Sequence, residues 1–228
     1  MKRVAVERKV LSENDRIAGQ LRERFCAHDV VCLNLISSPG AGKTSLLERT
    51  LEGFPTGERV AVLTGDIQTD HDATRLARFG FPVRQITTGG ACHLDARMVE
   101  KHLEGWDLRP LDFLFIENVG NLVCPTSYDL GEDAKIVVLS VAEGEEKPLK
   151  YPGIFRKAEL TILNKIDLLP YVPFQVDVAL ENARSINPAI EVLETCALTG
   201  KGLAQWLAWL ALRVEKKQSA ETEVAGSR

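Results

Sequence analysis

The run Ser37-Ser38-Pro39-Gly40-Ala41-Gly42-Lys43-Thr44 joins small side chains to one ammonium and one terminal hydroxyl. Such a loop can curl so that successive backbone N–H groups face an anion, and a helix starting at its end adds a positive dipole terminus. Val31-Cys32-Leu33-Asn34-Leu35-Ile36 before it reads as a strand and Ser45-Leu46-Leu47-Glu48-Arg49 after it as a helix, the setting a phosphate loop requires. Gly40, Ala41, Gly42, Lys43, Thr44 and Ser45 are therefore expected to hold nucleotide phosphates, with Lys43 on the β and γ phosphates and the Thr44 hydroxyl on Mg²⁺. Ser37 stands where this motif usually has its first glycine, while Gly40 and Gly42 keep the close backbone approach.

Asn164-Lys165-Ile166-Asp167 follows the apolar run 159–163. A carboxylate at Asp167 accepts from guanine N1–H and its 2-amino group, a donor pair that adenine lacks, so the expected ligand is GTP or GDP. Glu194-Thr195-Cys196-Ala197-Leu198-Thr199-Gly200 resembles the loop that completes a guanine pocket, with the Ala197 N–H expected on the base oxygen and Cys196 as a small filler without a metal role. Between these motifs lie two candidate switches. In Glu117-Asn118-Val119-Gly120, Glu117 is expected to face Mg²⁺ through a water and the Gly120 N–H to sense the γ phosphate. In 65–72, Asp66 and Asp72 are candidates for the Mg²⁺ shell, since a hard cation prefers oxygen, and Asp70 for a helix cap. Lys43, Thr44, Asp72, Glu117 and Gly120 form the expected catalytic set; no side chain declares itself as the one that positions water, so slow intrinsic hydrolysis is expected.

A second chemistry is signalled by Cys92-His93 and by Cys124, just beyond the second switch. Thiolate with imidazole suits Ni²⁺ or Zn²⁺ far better than Mg²⁺. Residue type alone leaves open that these are buried, inert side chains. It also implies an incomplete ligand set per chain, so that a closed tetrahedral site would need two chains to meet at Cys92 and His93.

The elements needed to position these groups can be read from apolar patterning. Strand-like runs at 59–64, 112–116, 135–141, 159–163 and 190–193 alternate with helical stretches near 70–79, 92–103, 173–186 and 202–215. This predicts an α/β fold of the P-loop NTPase type, a mainly parallel sheet with helices on both faces. Val4, Val10, Leu11, Ile17, Leu21 and Phe25 lie at rough helical spacing, so 1–28 reads as an amphipathic helix leading into a GTPase domain at 29–214. Beyond Glu215 the composition turns polar, which predicts a disordered tail over 215–228. Basic and acidic residues, 28 and 32, are dispersed and give a net charge of −4, no field for a nucleic acid. No run nears the ~18 apolar residues of a membrane span, and a cytoplasmic location is expected.

Taken together, the 37–44 loop, Gly65-Asp66-Ile67-Gln68-Thr69-Asp70, Gly90-Ala91-Cys92-His93-Leu94-Asp95-Ala96, Glu117-Asn118-Val119-Gly120-Asn121-Leu122-Val123-Cys124-Pro125 and Asn164-Lys165-Ile166-Asp167 resemble the HypB family of hydrogenase-maturation GTPases over about residues 5–214. The resemblance implies a homodimer formed with GTP, an interfacial nickel or zinc site at Cys92, His93 and Cys124, and delivery of nickel to the [NiFe]-hydrogenase large-subunit precursor with a HypA-type escort protein. Two family features depart: there is no amino-terminal cysteine-rich motif and no His-rich stretch, His28, His71, His93 and His102 being the only histidines, so a storage role is not expected. Lys150-Tyr151-Pro152 is a candidate to reach a partner's nucleotide, although Lys147 and Lys150 read more simply as surface lysines. The alternatives are a urease-type nickel-maturation GTPase and a metal-independent GTPase chaperone.

Overall fold

The computed structural model describes residues 2–54 and 59–225. Helix α1 (Lys2–Cys26) leads into strand β1 (Val31–Ser37) and helix α2 (Lys43–Gly53); β2 (Val60–Asp66), α3 (His71–Ala77), β3 (Val83–Thr87), α4 (Ala96–His102) and β4 (Phe113–Glu117) follow. The second half carries β5 (Ala134–Ser140), the short α5 (Lys147–Lys150) and α6 (Pro152–Lys157), β6 (Leu160–Asn164), α7 (Val176–Ile186), β7 (Glu191–Glu194) and α8 (Leu203–Ala225). The seven strands form one sheet in the order β3-β2-β4-β1-β5-β6-β7, every neighbouring pair parallel. This is the expected P-loop NTPase architecture.

The period-two geometry of a strand sends the side chains of β1 to opposite faces. Val31, Leu33 and Leu35 pack with Leu46, Leu47 and Leu51 of α2 and with Trp206, Trp209 and Leu210 of α8. The Trp206 indole N–H donates to Thr50 Oγ1 at 2.8 Å, so its polar edge is satisfied inside this layer. On the opposite face Cys32 joins Ile17, Leu21 and Phe25 of α1, Val99 of α4 and Leu103 just after it. Cys32 is thus a core residue, and α1 packs on the domain through its carboxyl-terminal half. Val10 is exposed, and the side chain of Val4 lies outside the described residues.

The fold departs from the sequence expectation at three places. Strand β3 was not expected: in this edge strand Arg84, Gln85 and Thr87 interrupt the apolar run by which the other strands are recognised. Helices α5 and α6 were also missed, each being a short turn of helix with proline in its first positions. The polar segment after Glu215, expected as a disordered tail, continues α8 as helix to Ala225, and Lys217 ties it down by donating to the Val30 carbonyl and to Asp133. No helix among the described residues is long and apolar enough to cross a membrane.

Candidate functional site

All the candidate loops leave the carboxyl ends of the strands. β1 lies between β4 and β5, where successive connections turn to opposite sides of the sheet, and open parallel sheets bind ligands in the crevice at such a reversal. The 37–44 loop emerges there. Gly40 and Gly42 adopt φ of 77° and 101°, the left-handed region that glycine alone enters freely. A Cβ on Gly42 would meet Asn164 Nδ2 at 2.5 Å. Lys43 is buried and donates to Ser37 Oγ at 2.9 Å, while Ser37 Oγ donates to the Ser38 carbonyl at 2.6 Å. The serine at the usual glycine position therefore serves as a hydroxyl rest for the lysine. Burial pushes the Lys43 ammonium below its ordinary pKa, against the attraction of Glu117 and Asp72.

The candidate base-reading segments are bolted to this loop. Asn164 Nδ2 donates to the Ala41 carbonyl at 3.0 Å, and its Oδ1 accepts from Thr195 Oγ1 and from the Ala197 N–H, both at 3.3 Å. The Ala197 amide, expected on the base oxygen, thus faces Asn164 here. Lys165, held at φ 62°, donates to the Gly40 carbonyl at 2.7 Å. Cys196 donates its thiol hydrogen to Asp167 Oδ1 at 3.0 Å, so the filler residue also orients the candidate guanine-reading carboxylate. From α2, Arg49 donates to the Ala197 and Leu198 carbonyls at 2.7 and 2.9 Å and fixes the 195–200 loop from outside.

Glu117, at the end of β4, accepts from Thr44 Oγ1 at 2.8 Å through Oε1, whereas its buried Oε2 has no hydrogen-bond partner. Burial raises its pKa to about 7, with the Lys43 charge opposing the rise. An orphaned carboxylate oxygen beside a threonine hydroxyl is the oxygen-rich surrounding that Mg²⁺ takes, so these residues fit the cation. Asp72, in the first turn of α3, acts electrostatically on both Lys43 and Glu117. Asp66 uses Oδ1 to accept from the backbone amides of Gln68 and Thr69 at 2.9 and 2.7 Å, which holds its own loop in a turn. Asp70 occupies the first-cap position of α3 but makes no side-chain capping bond. Gly120 packs on the phosphate loop: a Cβ there would stand 3.0 Å from Pro39 Cα. Ser45 accepts from Arg75 at 3.1 Å, joining α3 to α2.

The soft donors converge on one side of this crevice. Cys92, His93 and Cys124 each offer an atom within 4.8 Å of the others, and the Cys92 and Cys124 sulfurs are 2.8 Å apart. Gly89 and Gly90, at φ 63° and 114°, turn the chain so that neighbouring residues 92 and 93 both face the cluster, and Asp95 caps α4 just behind them through the Met98 N–H at 2.8 Å. The His93 ring stacks on Tyr128 with centroids 3.9 Å apart. Partial burial lowers the His93 pKa, which favours the neutral imidazole a metal needs; the adjacent Cys92 raises that of Cys124.

A family model described as CobW/HypB/UreG, nucleotide-binding domain, matches residues 31–194. The hydrogenase maturation factor HypB of Azotobacter vinelandii is 52% identical over 205 residues, covering 90% of this chain and 68% of that protein. This chain belongs to the HypB family. The Helicobacter pylori hydrogenase/urease maturation factor HypB is 41% identical over 95% of the chain and 89% of its own length. A crystal structure of HypB from Helicobacter pylori in complex with nickel superposes with a TM-score of 0.84 at 40% identity, covering 91% of this chain and 96% of that one. As a HypB member the chain is a P-loop GTPase by family.

Two residues that build this HypB site, Arg49 and Tyr128, carried no sequence signal of their own, and Asn118 stood in a recognised motif without an assigned role; all three act through contacts distant in sequence that only the fold reveals. Lys147, read as a surface lysine, is instead largely covered, donating to Ser38 Oγ in the phosphate loop at 3.0 Å and pairing with Glu143 at 3.1 Å.

Proposed function

We propose that this chain is a GTP-hydrolysing switch that delivers nickel during assembly of [NiFe]-hydrogenase. The observation that carries this reading is the convergence of Cys92, His93 and Cys124 on loops that adjoin Asp66 and Glu117. In it, amides of 40–45 and the Lys43 ammonium grip the phosphates and Asp167 reads guanine. Thr44 and Glu117, with Asp66 and Asp72 nearby, would hold Mg²⁺, which neutralises charge on the β and γ phosphates when bound. Gly120 senses the γ phosphate. Nickel is the cargo, and Zn²⁺ suits the same three donors.

Because the described residues of one chain offer only these soft ligands at the cluster, a second copy closes the site in the GTP state. A HypA-type escort and the hydrogenase large-subunit precursor are the partners, a reading supported by the functions in the relatives' names. In this reading intrinsic hydrolysis is slow, as no side chain among the described residues stands out to position water. Titration of nickel into the protein with GDP and with a non-hydrolysable GTP analogue, each followed by size-resolved chromatography, tests the scheme. Nickel affinity should differ between the states and dimer should accumulate with the analogue. Equal affinities would end the coupling, and unchanged client maturation after joint replacement of Cys92 and His93 by Ala would favour a metal-independent chaperone. The dual hydrogenase/urease name of one relative favours a second reading, urease maturation, which gene deletion with separate assays of the two enzymes distinguishes.

A further inference from the structure

Between the switch and the metal cluster runs a chain of buried polar groups. Asn118, 2% exposed, follows Glu117 directly. Its Oδ1 accepts from the Leu94 N–H at 3.2 Å and from the Val119 N–H at 3.0 Å. Its Nδ2 donates to Asn34 Oδ1 at 3.2 Å; Asn34 Nδ2 in turn donates to Glu132 Oε1 at 3.2 Å, and Glu132 pairs with Lys135. Asn34 and Lys135 are partners in the β1–β5 register, so two strands at the centre of the sheet hold the far end of the chain. Leu94, the residue after His93, is wholly buried, and its side chain lies so close to Gly65 that a Cβ there would come within 2.8 Å of it.

We infer that Asn118 is the positioning residue that fastens the metal loop to the second switch, so that Cys92 and His93 move with residues 117–120 as one body. The inference rests on the proposed nickel switch and names the part that transmits its signal. The physical reason is the asymmetry of buried hydrogen bonding: an amide N–H shut away from water keeps its acceptor, because leaving it unpaired is expensive. Displacement of Asn118 by a change at Glu117 or Gly120 therefore pulls the Leu94 amide along, and with it the neighbouring His93. Leu94 packed on Gly65 lets the first switch segment feel the same shift, giving the two arrangements that coupling between sites demands.

The test compares nickel dissociation constants with saturating GDP and with a saturating non-hydrolysable GTP analogue, in the whole protein and in two variants. Wild type should show a ratio in the range typical of coupled sites, roughly 5–150-fold. Asn118→Ala should bring the ratio to within about 2-fold of unity, whereas Asn118→Asp, which keeps the acceptor for Leu94, should retain most of it. Amide exchange at Leu94 in wild type supplies a readout independent of whether the alanine variant folds: the amide should be strongly protected in both nucleotide states. A wild-type ratio of one defeats the nickel-switch reading itself. A normal wild-type ratio that survives Asn118→Ala, or a Leu94 amide that exchanges as fast as an exposed loop in either state, overturns the role given to Asn118.

Discussion

The nucleotide side and the soft-donor side of the crevice are built to different standards of rigidity. On the first, Asn164, Lys165 and Arg49 bond the phosphate loop, the 164–167 turn and the 195–200 loop to one another through backbone carbonyls, and Lys43 and Thr44 are buried. On the second, Cys92 and His93 are half-buried on a loop and Cys124 opens a single 3-10 turn, with a ring stack to Tyr128 and the Leu94 bond to Asn118 among their ties. Fixed order is concentrated on the nucleotide side. The phosphate loop is a preformed grip, whereas under the proposed switch the cluster's geometry is reset by whatever moves residues 117–120.

The largest test of this contrast is Gly42→Ala. A left-handed φ and a Cβ 2.5 Å from Asn164 Nδ2 together break the seam between phosphate and base loops. GDP affinity should fall by at least about 100-fold by calorimetry, equivalent to roughly 3 kcal/mol. Next comes Glu117→Gln. The Glu117 carboxyl titrates at about 7 in the fold against 4.5 when free, so its stabilising contribution is fully present below pH 4.5 and is lost as pH rises through about 7. Wild-type protein without nucleotide should thus lose up to roughly 3 kcal/mol across that window, and the glutamine variant should not, as thermal unfolding at several pH values will show. The same carboxylate must be deprotonated to bind a cation, so Mg²⁺ affinity should rise with pH through that range.

Smaller effects set the two sides against each other directly. Arg49→Ala removes two charge-assisted bonds to the base loop and should weaken GDP binding about 10-fold, with Arg49→Lys recovering part of it. Tyr128→Ala deletes the ring stacked on His93 and should weaken nickel binding only about 3-fold, the worth of one aromatic contact. If the tyrosine change proves the more damaging for its own ligand, the soft-donor side is the more rigid one and the contrast is reversed.

Much of this was legible in the sequence because the nucleotide motifs are local. Residues 37–44 and 164–167 each carry their chemistry within one loop, and the strands before them are continuous apolar runs. The central strands were found for the same reason, and the edge strand at Val83–Thr87 escaped because Arg84, Gln85 and Thr87 interrupt its apolar run, whereas the opposite edge strand kept Val192-Leu193 beside Ile190 and was read. Polar composition beyond Glu215 misled, since the bond from Lys217 to Asp133 joins residues far apart in the chain. Likewise Asn118 and Tyr128 were visible as letters, but their partners Leu94, Asn34 and His93 come from other elements. Cys92, His93 and Cys124 lay between these cases: residue type suggested a soft metal, and only folding shows that adjacent residues 92 and 93 turn to the same point.

Trp206 gives the molecule an optical reporter. Its indole is fully buried and its N–H rests on Thr50 of α2, the helix that begins at Lys43, with Trp209 stacked 5.6 Å away. Any strain the phosphate loop transmits along α2 alters the polarity around that chromophore, so occupancy can be followed by intrinsic emission without attaching a dye.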